Sequence, residues 1–148
     1  MKPFLDTGFF VTLLVETSGS QVAWRIVRGL NDSLELTHLQ RFQVENRLQR
    51  EIANGDSPLL RAAAAGGLQR LRRYLDEMVF RAVDVDYDVA IHLASGWQRE
   101  LGLQTPPALL LLWPSLAITA GASHFLSFDP RPRKLAKAAG LDLLPETL

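Results

Sequence analysis

Two short apolar runs in this sequence end on an aspartate, and helical punctuation follows each of them. Pro3-Phe4-Leu5 leads into Asp6, and His124 to Phe128 leads into Asp129-Pro130. Between them, strand-like and helix-like stretches alternate, with no linker and no internal repeat. Strands separated by helices imply a largely parallel sheet covered on both faces. Ligands of open parallel sheets bind beyond the carboxyl ends of the strands. The same pattern that restricts the chain to an α/β architecture therefore places Asp6 and Asp129 where a ligand would be met.

The rest of the chain reads in the same terms. A helix is expected from about Thr7 to Val15, and a second over Ser20 to Leu30, where Val22, Ile26 and Leu30 recur at helical spacing. Asn31-Asp32-Ser33 forms a turn before a short strand, Leu34 to Leu36. Thr37 is placed to cap a long helix reaching about Ala53. Another helix runs from Pro58 to about Glu77, with a bend expected at Gly66-Gly67. Phe80 to Val85 reads as a strand, and Asp86 opens a helix that Gly102 stops after Leu101. Thr105-Pro106-Pro107 offers a capping hydroxyl and then proline in the first turn of an apolar helix. Asp129-Pro130 starts the last helix, and Leu141 to Leu144 forms a final edge strand.

Composition narrows the function. The 148 residues are expected to fold as one domain, 1–148, and they are 47% hydrophobic and 22% charged, the balance of a globular domain. Formal net charge is zero, so any nucleic-acid contact must use local patches rather than a global basic excess. Cysteine is absent, which removes disulfides and thiolate metal sites and fits a cytoplasmic location. No signal peptide is expected, since Asp6 interrupts the first apolar run, and the run around Pro106 to Thr119 is too short for a bilayer, which needs about 20 residues.

A third acid joins the two at strand ends. Glu45 has Phe42, Leu48 and Ile52 as neighbours at helical spacing, so it lies on or beside an apolar stripe. Three converging carboxylates would repel one another, and a hard divalent cation with oxygen ligands relieves that repulsion. Magnesium or manganese so held activates water and polarises a phosphodiester. The plainer roles stand beside this one. Asp129 before Pro130 is an N-cap, Asp6 can cap the first helix, and Glu45 can pair with Arg41 one turn away.

Taken together these residues resemble the PIN domain, the fold of the VapC-like toxins of bacterial toxin–antitoxin pairs. FLDTGFFVTLL resembles the family's opening strand and Asp-Thr-Asn, with Gly8 in place of Asn. LTHLQRFQVENRLQREI resembles the segment carrying the family's Glu, which maps onto Glu45. GASHFLSFDPRPRKLAKAAGLDLLP resembles the family's Thr-x-Asp and basic terminal helix, with Ser127 for Thr and Asp129 as the acid. The resemblance covers nearly the whole chain and implies a three-layer α/β/α domain with a mainly parallel central sheet of four to five short strands. It also implies a Mg²⁺- or Mn²⁺-dependent ribonuclease with Asp6, Glu45 and Asp129 as catalytic and metal-binding acids.

One member of the family's acidic set is missing. The Asp that usually begins the helix before the last strand falls at Leu110, and its companion His falls at Trp113. No acid occurs between Leu101 and Phe128. Pro114 lacks an N–H and clashes with the carbonyl four residues back, so the backbone at Leu110 is expected to kink or break. The resemblance therefore implies weak or absent metal binding and impaired catalysis. Glu16, Asp84, Asp86 and Asp88 are not expected to replace the lost ligand, since turn and capping roles suffice for the last three. The alternative is an inactive binding module for RNA or an antitoxin-like protein.

Among the basic residues, Arg131, Arg133 and Lys134 follow Asp129 directly and form the best candidate track for RNA phosphates, with solvated helix faces as the alternative. His38, His92 and His124 show no metal-ligand spacing. The three tryptophans read as packing residues. The apolar surfaces of the early helices suit a homodimer.

Overall fold

A computed structural model describes residues 1–30 and 33–148, so the turn expected at Asn31-Asp32 lies outside the described residues. The elements are β1 (Pro3–Leu5), α1 (Thr7–Leu14), α2 (Ser20–Arg28), β2 (Leu34–Thr37), α3 (His38–Asn54), α4 (Pro58–Asp76), β3 (Phe80–Val83), α5 (Tyr87–Leu101), α6 (Ala108–Thr119), β4 (His124–Leu126), α7 (Pro130–Ala138) and β5 (Asp142–Leu144). A 3-10 turn, Gly102–Gln104, links α5 to α6. The chain is thus mixed α/β, and every strand pairing is parallel. The strands divide into a three-stranded sheet, ordered β1-β4-β5, and a two-stranded sheet, β2-β3. The described chain forms two compact units: Met1–Asp6 with Val85–Leu148, and Thr7–Asp84.

In the first unit, β4 lies between β1 and β5, with Leu5 opposite Leu126 and Leu126 opposite Leu144. The ladder runs one residue past each strand end. Asp6 N–H donates to the Leu126 carbonyl at 3.0 Å, and Ser127 N–H donates to the Leu144 carbonyl at 3.2 Å. Phe4 and Phe125 are fully or nearly buried on neighbouring strands, their rings stacked with centroids 6.2 Å apart. Helix α6 packs against α5 and α7. Its residues Leu111 and Trp113 to Ala117 are buried, as an apolar helix requires.

Two local expectations are corrected here. Helix α6 runs through Pro114, so of the kink or break expected at Leu110 the break does not occur. Burial on either side of the proline holds the helix together, and the Ser115 hydroxyl donates to the Leu112 carbonyl at 2.8 Å. Thr105 is not its cap: Pro107 holds that position, and the Thr105 hydroxyl turns back to the Gly102 carbonyl at 2.6 Å. Asp86 does cap α5, accepting from Val89 N–H at 3.0 Å, and Gly102 ends that helix at φ 54°, a left-handed conformation open to glycine.

In the second unit, β2 and β3 pair from Leu34 opposite Phe80 to Thr37 opposite Val83. Thr37 and Gln40 form a reciprocal capping box at the start of α3. Edge-on ring contacts run from Phe10 to Phe80, on to Tyr74 and then to Trp24, with centroids 5.2 to 6.0 Å apart. The buried face of α3 is Gln40, Val44 and Leu48, spaced one turn apart. Phe42 is 63% exposed and does not belong to that face as the sequence had suggested.

Helix α4 is continuous through Gly66-Gly67. Gly67 serves a close approach rather than a bend. A Cβ there would lie 2.7 Å from Val15 Cγ2 and 3.3 Å from the Leu14 carbonyl, whereas one at Gly66 would meet only the end of Arg70 at 3.6 Å. Two substitutions separate these roles. Gly66→Ala gains helix propensity and stabilises the fold by up to about 1 kcal/mol. Gly67→Ala sets the same gain against overpacking of roughly 1–3 kcal/mol. Thermal melts should therefore rank Gly66→Ala above the natural chain and Gly67→Ala below Gly66→Ala; equal melting points would contradict the close-approach account.

Candidate active site

The end of the three-stranded sheet gathers three of the residues that the sequence singles out. Asp6 follows β1 and is only 5% exposed, because the strand before it is buried to its last residue. Ser127, fully buried after β4, donates its hydroxyl hydrogen to Asp6 Oδ2 and accepts from Asp129 N–H at 3.0 Å. Ser127 thus bridges the two acids that the parallel pairing of β1 and β4 brings to neighbouring strand ends. This arrangement explains the short polar side chain two residues before Asp129: a hydroxyl can donate and accept at once.

Asp129 caps helix α7, accepting from Arg131 N–H at 2.9 Å. Its carboxylate also takes the Arg131 guanidinium, with Nε 3.0 Å from Oδ1 and Nη2 2.7 Å from Oδ2. The side-chain hydrogen bonds from Arg131, opposed in part by burial, hold the Asp129 carboxyl below the usual carboxylate range. The capping role and the acid at a strand end are therefore the same residue.

Arg133, expected on a phosphate track, lies inward. It is only 6% exposed, and its guanidinium points inward. Nη1 donates to the Ser127 carbonyl at 2.9 Å, and Nη2 to the Pro145 carbonyl at 2.7 Å, with the Glu146 carbonyl at 3.5 Å. Burial lowers its pKa and the nearby Asp6 charge opposes that shift. The periodicity of a short basic helix gives no sign of which arginine turns inward. Arg131 is spent on Asp129, while Lys134 is exposed on the helix surface.

Glu45 belongs to the second unit, where Arg41 Nε donates to its Oε1 at 2.9 Å across one helical turn. Its side chain is about one-third exposed. Thr7, next after Asp6 in the chain, buries its hydroxyl with no hydrogen-bond partner among the described residues. Asp84 meets His38 at 3.2 Å on the exposed surface. His124 stands at the far end of β4 from Asp129, beside the Ser123 hydroxyl at 2.8 Å.

Carboxylate oxygens are the right donors for a hard cation, but Mg²⁺ needs their lone pairs in near-octahedral array. Both Asp129 oxygens are held by a guanidinium, and Asp6 carries the Ser127 hydroxyl. Among the described residues no three His, Asp or Glu side chains gather in a group that could hold a metal ion. Leu110, half-buried in the first turn of α6, supplies no oxygen. The side chains as arranged do not fit an octahedral cation.

No family model matches the chain, and no curated protein does. A chain in the crystal structure of VapBC2 from Rickettsia felis bound to a DNA fragment from their promoter superposes with a TM-score of 0.67. The match covers 97% of each chain at 14% sequence identity. The fold is PIN-like. At that identity the likeness concerns the backbone, so the chemistry of the site must be judged from the side chains above. Among the described residues no helix is long and apolar enough to cross a membrane.

The Asp129 geometry sets a pH dependence. Its folded pKa is depressed, so its contribution is present above the unfolded carboxylate pKa and is lost as pH falls through the folded value. Asp129→Asn keeps the cap and loses the charge, and Asp129→Ala also loses the cap, at roughly 0.5–2 kcal/mol. Denaturant melts from pH 7 downward should show the natural chain losing its advantage over Asp129→Asn below about pH 4. An advantage that stays constant down to pH 2 would contradict the charge-assisted pairing.

Proposed function

We propose that this chain is a relative of the VapC-type ribonucleases whose metal-dependent cleavage of RNA is weak or lost. Leu110 carries the reading. The PIN-like backbone of α6 is retained, yet its sequence from Ala108 to Thr119 contains no acid, and Leu110 stands where the resemblance expects one. Asp6, Glu45 and Asp129 would be the remaining acids of the site, with Mg²⁺ or Mn²⁺ bound weakly at best. The pairing of Asp129 with Arg131 and of Glu45 with Arg41 supports the same conclusion, since each carboxylate has a cationic side chain in place of a free coordination position.

A second reading, a PIN-fold module that binds without cutting, draws on a different place. In the second unit, a cleft of about 840 Å³ is lined by Arg25, Arg28 and Arg70 together with Trp24 and Tyr74. Guanidinium groups beside aromatic faces suit either RNA or an acidic, aromatic segment of a protein partner. The similar VapBC2 structure is that of a complex bound to promoter DNA, which supports an antitoxin-like partner for this chain. A homodimer, as the sequence suggested, fits the same reading.

Cleavage of a structured RNA in Mg²⁺ and in Mn²⁺ separates the two. The natural chain should cut at least about 100-fold more slowly than Leu110→Asp, the loss of roughly 2.7 kcal/mol of transition-state stabilisation. Asp6→Ala should abolish whatever cleavage exists. Fast, Asp6-dependent cutting by the natural chain would overturn the proposal of impaired catalysis. No cutting by either chain, with RNA retained on a filter, would favour the binding module.

A further inference from the structure

In the second unit, three arginines line one cleft without a matching set of acids. The cleft, of about 840 Å³, lies wholly within Thr7–Asp84, and Arg25, Arg28 and Arg70 share its lining with Trp24, Tyr74 and Glu16. Arg25 and Arg28 are exposed, three positions apart on α2 and so on one side of it. Arg70 reaches in from α4, where its Nε donates to the Leu14 carbonyl at 2.7 Å. That bond steadies the guanidinium and leaves both Nη groups, an edge that can grip two oxygens of one anion. Among the described residues no carboxylate pairs with any of the three.

The aromatic part of the lining offers one ring rather than a series. Tyr74 is met edge-on by Trp24 and by Phe80, and the Arg73 guanidinium lies over its ring at 5.3 Å. Trp24 is half-buried and has no ring partner besides Tyr74 among the described residues. A track for a long single strand needs successive stacking platforms along a basic groove. One ring in a cleft within the range of small-ligand pockets, about 300–1,000 Å³, suits a single base.

We propose that this cleft binds a nucleoside phosphate, with one base against Trp24 and a terminal phosphate on Arg25, Arg28 and Arg70. The charge matches. Three guanidiniums against the one carboxylate of Glu16 leave an excess of positive charge, and a terminal phosphate carries about −1.5 to −2 near pH 7. A phosphodiester inside a strand carries a single negative charge and would satisfy the arginines less well. The inference rests on the reading of this cleft as a binding place and names its ligand by chemistry. A free nucleotide and the phosphorylated end of an RNA strand share that chemistry.

Calorimetric titration in EDTA, which keeps metal at the acidic site out of the result, tests the assignment with adenosine 5′-monophosphate as probe. The monophosphate should bind at least about 10-fold more tightly than its 3′,5′-cyclic diester, which has the same base and less charge. Ribose 5-phosphate, which has no base, should bind at least about fivefold more weakly than the monophosphate. Arg25→Gln and Arg28→Gln, at exposed positions, should each weaken the monophosphate at least about threefold, and Arg70→Met at least about 10-fold. If Arg70→Met does not fold, the two α2 variants and the ligand series still decide. A short single-stranded RNA with and without a 5′-phosphate tells the sources apart. Phosphorylated RNA that binds more tightly than the monophosphate supports a strand end, and equal or weaker binding supports a free nucleotide.

RNA that binds alike with and without its terminal phosphate overturns the proposal, as does a cyclic diester that matches the monophosphate. Monophosphate binding that ignores the arginine variants overturns it too. If the monophosphate fails at about 1 mM while an acidic peptide or unphosphorylated RNA binds and Arg25→Gln weakens that binding, the nucleoside phosphate is overturned and the binding-module reading stands. If none of these probes binds, both fall.

Discussion

The parallel pairing of β1 with β4 is the constraint from which the rest of the first unit follows. Three residues at one end of the chain find three partners 121 positions later, and no local signal assists them. What holds so short a ladder is side-chain burial: Phe4, Leu5, Phe125 and Leu126 are almost wholly removed from water. Each large apolar side chain so buried contributes on the order of 1.5–3 kcal/mol. The pairing also fixes register. A slip by one residue would turn these side chains to the other face. Because both strands end together, the residues that follow them, Asp6 and Ser127, meet as a consequence of register alone.

That meeting puts polar chemistry at a place where water is scarce. Ser127 answers with a two-way hydroxyl, Asp129 with a helix cap reinforced by Arg131, and Arg133 with a guanidinium folded under α7. The ends of β1 and β4 lead into two carboxylates, Asp6 and Asp129. Here most of that charge is met by side chains of the same unit. Helix α6, packed on α7, carries no acid between Ala108 and Thr119.

What the sequence disclosed and what it concealed divide along a physical line. Elements announced by local chemistry were legible: the caps at Thr37, Asp86 and Asp129, the stop at Gly102, and the strands that end on acids all form as their residues require. The i,i+4 pair of Arg41 and Glu45 was legible for the same reason. Features decided by tertiary packing were not. Pro114 weakens a helix in isolation, yet burial along α6 outweighs the missing hydrogen bond. Phe42 looked like core by spacing, but the buried face of α3 is set by what packs on it, and that face includes a glutamine. Arg133 was indistinguishable from Arg131 on charge alone. Nor does alternation of strands and helices say that five parallel strands will pair as three and two.

The anchoring of Arg133 has a consequence for how such a residue is discovered. Its short hydrogen bonds end on main-chain carbonyls, at Ser127 and at Pro145. Every amino acid carries that carbonyl, so exchanging the side chain at Pro145 leaves the acceptor chemically intact. Pairwise covariation between Arg133 and the residues that hold it would have nothing to act on. A scan that replaces one side chain at a time would register the arginine without identifying these carbonyls as what holds it. Backbone-level probes, such as an ester in place of an amide, would be needed to make those anchors visible.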